Sequence, residues 1–281
     1  MKLLTLALLA LAAAFFGPAA VVGLFTRDLL YHPTAVPEDK LDALAQIPGW
    51  ERAHVEVGEG EIVRLSGLVR PPGADGAPWI VYCGGNAMSI DTIQVVLRLI
   101  GKDLPVGLAS FAYRGYDTSE GRPTEAHLKG DLMAVLSALK ERYGVAPGRL
   151  ILAGQSLGTG VVSWAAASLS DAGTPPLGVV LISPYTSMAA VFDSKVPVAP
   201  VGFAVRDSYR TDRVIERVKA PVLLIHGDAD TLIPLSHSEQ LAGQLGDRAL
   251  LTPISGRGHN DLWGDPRTVE AARGFVLGLL P

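Results

Sequence analysis

Gly154-Gln155-Ser156-Leu157-Gly158 joins an apolar run to a helical pattern, and this junction is the strongest indication of the fold. The apolar run is Leu150 to Ala153, and the helical pattern covers Thr159 to Leu169. A G-x-S-x-G spacing between a strand and a helix is typical of a sharp turn that lifts a serine hydroxyl clear of the sheet. Glycines flank the serine because so tight a turn leaves no room for a Cβ on either side. Ser156 is therefore the candidate catalytic nucleophile.

Two further side chains follow in the order that a serine nucleophile needs. Asp230 stands in the turn after a predicted buried strand, Pro221 to Ile225, and His259 lies in a later loop between glycine-rich residues. A serine hydroxyl is a poor nucleophile at neutral pH, so it needs a neighbouring base and a third group that orients the base. The order serine, acid, histidine is that of the α/β-hydrolases. We therefore predict a triad of Ser156, Asp230 and His259.

Asp228 competes with Asp230 for the acid position, since both follow the same strand at the sheet edge where ligand sites form. The segment from His226 to Pro234 matches an H-G-x-x-D-x-x-[VI]-P turn found in many α/β-hydrolases. By that resemblance Asp230 is the acid, and Asp228 is expected to cap the turn through an Asx-type hydrogen bond. The other five of the six histidines occur in surface-like or strand-end settings, which favour packing or local hydrogen bonds.

Acyl transfer also requires hydrogen-bond donors for the developing oxyanion. One expected donor is the backbone N–H of Leu157, the residue after the nucleophile. The other is expected from the loop Gly84-Gly85-Asn86-Ala87, which follows a strand pattern at Trp79 to Tyr82. Its glycines would let the backbone N–H of Asn86 approach the substrate closely. The alternative interpretation of this loop is an ordinary glycine turn.

Two segments carry a resemblance to a known family. Gly84 to Ala87 resembles an H-G-N-A oxyanion segment, with Gly84 in place of the usual histidine. Tyr113 to Pro123 resembles Y-R-G-Y-G-x-S-E-G-x-P, with Asp117 in place of glycine. Together with the serine and acid turns, they make the chain from about Tyr31 onward similar to the Bem46-like α/β-hydrolases. That resemblance implies ester or thioester cleavage, since the relatives include membrane-anchored serine hydrolases, among them protein depalmitoylases.

Composition excludes several classes of function. Of 281 residues, 48% are hydrophobic and 19% are charged, so one domain can bury a large core without disulfides. A net charge of −4 gives no basic field for nucleic acid. Cys83 is the only cysteine and neither an H-E-x-x-H nor a P-loop pattern occurs, so we expect no metal and no organic cofactor. Cys83 itself is expected to be a small core residue.

The N-terminal segment, residues 1–29, differs in kind from the rest of the chain. No charged residue occurs from Leu3 to Phe25, and as a helix this stretch would span roughly 35 Å, enough for the hydrocarbon core of a bilayer. Lys2 and the small residues Gly17-Pro18-Ala19 also fit a signal peptide with a cleavage site. We expect an uncleaved membrane anchor, because the apolar stretch continues past Pro18. The alternative is export to the periplasm, or secretion, after cleavage.

Alternating strand and helix patterns over residues 30–281 predict an α/β-hydrolase fold, with a mostly parallel central sheet, helices on both faces and a small cap. The runs His54–Val57 and Ile62–Val69 flank a Gly58-Glu59-Gly60 turn and predict an opening hairpin. Leucines that recur every three or four residues between Glu125 and Tyr143 predict one buried helical stripe. Further strands are expected at Trp79–Tyr82, Val106–Ala112, Leu150–Ala153, Val179–Ser183, Val222–Ile225 and Ala249–Leu251.

Residues 183–220 leave the predicted sheet through an apolar, proline-rich segment, Val196 to Phe203. Loops of this length are often functional. One hypothesis is an exposed flap, with Val201 and Phe203 in contact with acyl chains from lipid or lipidated protein. The alternative is a small helical cap packed on the sheet.

These patterns together predict a serine hydrolase that acts on small or lipid-like acyl esters or thioesters. A serine peptidase of the aminopeptidase kind is an alternative, although neither a large cap nor an acidic amine-binding site is evident. A noncatalytic, membrane-tethered binding protein on a hydrolase fold is another alternative. The presence of Ser156 disfavours haloalkane dehalogenases and epoxide hydrolases, which use aspartate as the nucleophile.

Overall fold

The computed structural model describes residues 2–58, 62–196 and 201–280, with side chains from Phe16 onward. Its strands are β1 (Glu51–Val57), β2 (Val63–Arg70), β3 (Trp79–Cys83), β4 (Gly107–Phe111), β5 (Leu150–Gln155), β6 (Gly178–Ile182), β7 (Val222–Gly227) and β8 (Ala249–Ile254). Its α-helices are α1 (Lys2–Leu30), α2 (Glu38–Ala45), α3 (Ile90–Ile100), α4 (Glu125–Tyr143), α5 (Leu157–Asp171), α6 (Met188–Lys195), α7 (Ser236–Leu245) and α8 (Pro266–Leu279).

The strands form one sheet in the order β1-β2-β4-β3-β5-β6-β7-β8. The pairs β1–β2 and β2–β4 are antiparallel, and the pairs from β4–β3 to β7–β8 are parallel. The predicted hairpin is confirmed as the β1–β2 pair, while Glu59 and Gly60 of its predicted turn lie outside the described residues. Since β3 and β5 to β8 run in the same direction, their carboxyl ends share one edge of the sheet. The predicted fold class is therefore confirmed.

Apolar side chains cover both faces of this sheet and form two hydrophobic clusters. The first cluster contains side chains of α4, α5 and α7, and the second contains side chains of α2, α3 and α8. The leucine stripe predicted in α4 is buried against the first cluster through Leu128, Leu132, Leu136 and Leu139. Parallel strands that are covered on both faces explain why their sequences read as short, continuous apolar runs rather than as alternating ones.

The N-terminal helical segment α1 spans Lys2 to Leu30, contains Pro18 and is kinked at Phe25, where φ is −111° and ψ is 16°. Among the residues that the structure describes, we find no helix that is both long enough and apolar enough to span a bilayer. The predicted anchor runs from Leu3 to Phe25, and its side chains up to residue 15 lie outside the described part of the structure. The anchor therefore stays a prediction.

Candidate active site

The turn between β5 and α5 forces Ser156 into an uncommon backbone conformation, with φ 48° and ψ −117°. A Cβ added to Gly154 would lie 2.6 Å from the carbonyl oxygen of Gly158, and one added to Gly158 would lie 2.2 Å from that of Cys83. Both neighbours are backbone atoms, which cannot rotate away as a side chain can. The turn thus requires glycine at both positions and stores strain at the serine between them.

Replacing Gly158 by alanine should lower the free energy of unfolding by about 3 kcal/mol or more, because the new Cβ overlaps backbone. The matched control is Gly130→Ala in α4, where a Cβ meets nothing within 4 Å. This control should be stabilising by about 1 kcal/mol, since alanine is the better helix former. Urea denaturation followed by tryptophan fluorescence measures both changes. Equal midpoints for the two variants would show that the turn tolerates a side chain.

Three side chains from three loops meet at the carboxyl edge of the sheet. The Oγ of Ser156 lies 2.9 Å from Nε2 of His259, and Nδ1 of His259 lies 2.7 Å from Oδ2 of Asp230. With the carboxylate ionised, the Nδ1–H donates to Asp230 and leaves Nε2 free to accept from the serine hydroxyl. This arrangement brings together the three residues predicted as a triad and presents a base to the Ser156 hydroxyl.

Hydrogen bonds hold the Asp230 carboxylate on both of its oxygens. Its Oδ1 accepts from the backbone N–H groups of Leu232 and Ile233, each at 2.8 Å, while Oδ2 faces His259. Burial raises the pKa of this carboxyl, but hydrogen bonds from His226, His259 and the Ile233 amide outweigh it and hold the pKa well below its usual range. The carboxylate is thus ionised at neutral pH and fixed in direction.

Asp228 lies in the same turn but points to a different partner. Its Oδ1 accepts from the backbone N–H of Gly256 at 2.7 Å, in the loop that leads to His259. The expected local Asx-type bond is therefore wrong, because this carboxylate binds a backbone N–H in a different loop. Asp228 joins the two turns that carry Asp230 and His259.

A second histidine, His226, also approaches the acid, which the sequence analysis did not anticipate. Its side chain is fully buried, with Nδ1 2.6 Å from the Ser238 hydroxyl and Nε2 2.8 Å from the Ile233 carbonyl oxygen. A carbonyl oxygen only accepts, so Nε2 carries the proton and Ser238 donates to Nδ1. The same Nε2 lies 3.3 Å from Oδ2 of Asp230. The spacing of His226 and Asp230 places both residues in the acid turn, but the sequence does not show that their side chains meet.

The loop after β3 lies directly beside the nucleophile. A Cβ added to Gly85 would be 3.5 Å from the Cβ of Ser156, so any side chain at this position would contact the nucleophile. The Asn86 side chain fixes the loop, because its Oδ1 accepts from the Tyr116 hydroxyl at 2.8 Å and from the His32 N–H at 2.9 Å. The predicted donors, the backbone N–H groups of Asn86 and Leu157, therefore belong to two backbone segments that flank Ser156.

Leu157 is the first residue of α5, immediately after the nucleophile. The first N–H groups of a helix have no acceptor within the helix, and the helix dipole favours negative charge at this end. An oxyanion formed next to Ser156 would therefore meet an unpaired donor and a favourable field.

Gly84 and Asp117, the two departures from the pattern of the resembling family, each fit their surroundings in the structure. A Cβ on Gly84 would lie 2.7 Å from Cδ1 of Ile93, so a histidine there would require Ile93 to move. Asp117 has φ 50°, and its carboxylate accepts from the backbone N–H groups of Val36 at 3.1 Å and Ile90 at 2.9 Å. Ile90 begins α3, so this aspartate stabilises the start of that helix.

A cavity of about 880 Å³ opens beside Ser156 and His259. Its apolar walls come from α1, α3 and α6, through Val22, Leu29, Val96, Leu99, Val191 and Phe192. Val201 is buried and Phe203 is 71% exposed, and neither is among the described residues that line the cavity. Among the described residues of 183–220, those that reach the cavity belong to α6 or are Val196, which follows it. Residues 197–200 lie outside the described residues.

No group of three or more metal-binding side chains occurs in the part of the chain that the structure describes. Cys83 is buried in the core at the end of β3, where burial raises the pKa of its thiol to about 12.

The chain is similar to several known proteins. The prolyl oligopeptidase family matches residues 123–260, which include the serine turn, the acid turn and the histidine loop. An uncharacterised protein of Mycobacterium tuberculosis is 32% identical over 236 residues, which cover 84% of this chain and 80% of that protein. A protein of Acanthamoeba polyphaga mimivirus that is assigned to the α/β hydrolases is 30% identical over 201 residues, 70% of this chain and 72% of its own length.

A solved structure shows the same fold at lower sequence identity. It is that of a thermostable carboxylesterase cloned from a metagenomic library, which superposes with a TM-score of 0.63 and 22% identity. The match covers 86% of this chain and 94% of the carboxylesterase. At this identity the likeness is one of fold.

Proposed function

This chain belongs to the α/β-hydrolase superfamily, and from that premise we propose that it is a serine hydrolase that cleaves carboxylic esters or thioesters through an acyl-enzyme on Ser156. One observation carries the proposal, namely the continuous chain of hydrogen bonds from the Ser156 hydroxyl through His259 to Asp230. Membership of the Bem46-like subgroup stays a prediction.

In the proposed reaction, His259 Nε2 takes the proton of the Ser156 hydroxyl as Oγ attacks the acyl carbon. The negative charge that develops on the acyl oxygen is stabilised by the backbone N–H groups of Leu157 and Asn86. His259 then gives the proton to the departing alkoxide or thiolate, which leaves an acyl-serine. A water molecule, deprotonated by the same Nε2, releases the acid and restores the serine. Asp230 keeps the Nδ1–H of His259 in place throughout.

Ester and thioester substrates are favoured over peptides by the chemistry of the cavity. Among the described residues that line it there is no aspartate or glutamate to bind a peptide amino terminus, and its walls are mostly apolar. The match to the prolyl oligopeptidase family nevertheless makes a serine peptidase the second candidate. The two candidates differ in leaving group, an alkoxide or thiolate against an amine.

The test uses the full-length chain purified in detergent. We expect one fluorophosphonate adduct by intact mass, its loss in Ser156→Ala and His259→Ala, and faster turnover of p-nitrophenyl butyrate than of aminoacyl p-nitroanilides. Faster anilide turnover would favour the peptidase, and a folded wild-type chain without any adduct would contradict the proposal.

We also propose that the N-terminal segment holds the protein at a membrane. The described part of α1 presents Val21, Leu24 and Phe25 to the surface, with 53%, 70% and 51% exposure. Exposed apolar side chains grouped on one helix mark contact with a partner or a lipid surface. Carbonate extraction of cell membranes tests this, since release of the intact chain into the supernatant argues against anchoring.

A further inference from the structure

The second half of α1 packs on the hydrolase domain with one face. Ala19, Val22, Thr26 and Leu30, which are spaced by three or four residues, are each at most 6% exposed. Residues on both sides of the kink at Phe25 are thus buried. Gly23 lies against Ala204, whose Cβ would be 3.5 Å from a Cβ added to the glycine. This half of α1 is therefore part of the folded domain.

Polar contacts fix the end of α1 to the segment after α6. Asp207 is only 5% exposed, and its Oδ2 accepts from Arg27 Nε at 3.3 Å and from the Tyr31 hydroxyl at 3.1 Å. The Tyr31 oxygen lies 2.8 Å from the Tyr209 hydroxyl, and since Tyr31 has only one proton to give, Tyr209 is the donor of that bond. A buried carboxylate that is satisfied by groups from α1 sets the position of the helix relative to the catalytic loops.

The same end of α1 forms part of the active-site cavity. Val22, Leu29 and Leu30 line it together with Ser156, while α3 and α6 supply other apolar walls. Leu29 is 46% exposed, so it lies at the mouth of the cavity, whereas Val22 and Leu30 are buried. An apolar route therefore leads from the nucleophile to the surface of the N-terminal helix.

We infer that α1 is a wall of the acyl-binding site, and that the hydrocarbon chain of a long-chain acyl ester or thioester lies along Val22, Leu29 and Leu30 during catalysis. The inference rests on the proposed function, because it assigns the acyl group of that reaction to this part of the cavity. It gives α1 a role in substrate selection, in addition to any role in attachment.

Size and chemistry of the cavity both fit an acyl chain. Its volume of about 880 Å³ is near the upper end of ordinary ligand pockets, roughly 300–1,000 Å³. A short acyl group would leave most of this apolar volume unused. Each further methylene that leaves water strengthens binding by about fourfold, so long chains gain most from these walls.

A thiol-protection experiment tests the inference directly. The variants are Leu29→Cys at the cavity and Leu24→Cys, a 70% exposed position of the same helix outside the cavity lining. Cys83 is the only native cysteine, and its buried thiol supplies little background reaction with maleimide. Each full-length variant, in a rigid steroid detergent, is first treated with hexadecylsulfonyl fluoride or with butylsulfonyl fluoride, and adduct formation is confirmed by intact mass.

With the hexadecyl adduct on Ser156, we expect maleimide labelling of Leu29→Cys to slow at least fivefold, while Leu24→Cys reacts within twofold of its original rate. The butyl adduct should protect neither thiol. A hexadecyl adduct that leaves Leu29→Cys fully reactive would overturn the inference and leave the proposed function standing. Absence of any adduct on the folded chain would instead refute the proposed function, and the inference with it.

Kinetics supply an independent readout. Leu29→Ser should lower the ratio of kcat/KM for palmitoyl over acetyl p-nitrophenyl esters by five- to tenfold, since it removes apolar contact from the far part of the chain only. Leu24→Ser is the matched control and should keep the wild-type ratio within twofold. An unchanged ratio in Leu29→Ser means that the chain takes another path and α1 is not its wall.

Discussion

Replacing Ser156 by alanine is expected to lower kcat for ester hydrolysis by at least about 10³-fold. Alanine removes the only atom that forms the acyl-enzyme, so the remaining rate comes from a water molecule held near the donors of the Leu157 and Asn86 amides. The hydroxyl makes a 2.9 Å hydrogen bond to His259, which is also lost. Stopped-flow or steady-state assays with p-nitrophenyl butyrate measure the change.

The control for this variant is Ser168→Ala on the same helix. The Ser168 hydroxyl donates to the Trp164 carbonyl oxygen at 2.9 Å, within α5 and away from the cavity. We expect its kcat to stay within twofold of the wild-type value and its melting temperature to match that of Ser156→Ala. Substantial residual turnover in a normally folded Ser156→Ala variant would show that another residue is the nucleophile.

Replacing Asp230 by asparagine should lower kcat by about 10³- to 10⁴-fold with little loss of fold. The Leu232 and Ile233 amides donate to Oδ1 at 2.8 Å each, so an asparagine keeps its carbonyl oxygen there and turns its NH₂ toward His259. That NH₂ donates to Nδ1 and moves the imidazole proton to Nε2. His259 then cannot accept the proton of Ser156, although every heavy atom stays in place.

Asp228→Asn is the matched control, two residues away in the same turn. Its carbonyl oxygen can still accept from the Gly256 amide, the bond that Asp228 makes at 2.7 Å. We expect kcat within a few-fold of the wild-type value. Equal losses in both variants would mean that the position of the turn, rather than the ionised Asp230, governs the rate. Circular dichroism of the two variants checks that both are folded.

Local patterns were sufficient to predict most of the sheet and the helix α4. The buried strands read as short apolar runs, because parallel strands that are covered on both faces need apolar side chains on both faces. The α4 stripe was readable since its leucines recur with the helical period. The ends of the strands were predicted less accurately. Strand β5 runs to Gln155 rather than to Ala153, because Gly154 and Gln155 pair with β6 although neither is a typical strand residue.

The three candidate catalytic residues could be named from the sequence, but their contacts could not. Motif spacing pointed to Ser156, Asp230 and His259, which the fold then brings within hydrogen-bond distance. The contact of His226 with Asp230 was missed, because a histidine at a strand end has the same local pattern whether it packs or binds. The flap hypothesis placed Val201 and Phe203 at the acyl chain, whereas the described lining of the cavity includes Val196 of that segment together with α1, α3 and α6. Residues 197–200 lie outside the described residues, so the flap stays a prediction.

The order of the elements, the glycine-bounded turn and the residue types able to act as nucleophile, base and acid follow from the sequence alone. These properties are local, since a turn, a strand or a helix is encoded within a few neighbouring residues. Tertiary structure alone decided which side chains share the cavity. Leu29 lines the same cavity as the nucleophile because Arg27 and Tyr31 bind the buried Asp207, a contact between segments about 180 residues apart that no local pattern encodes.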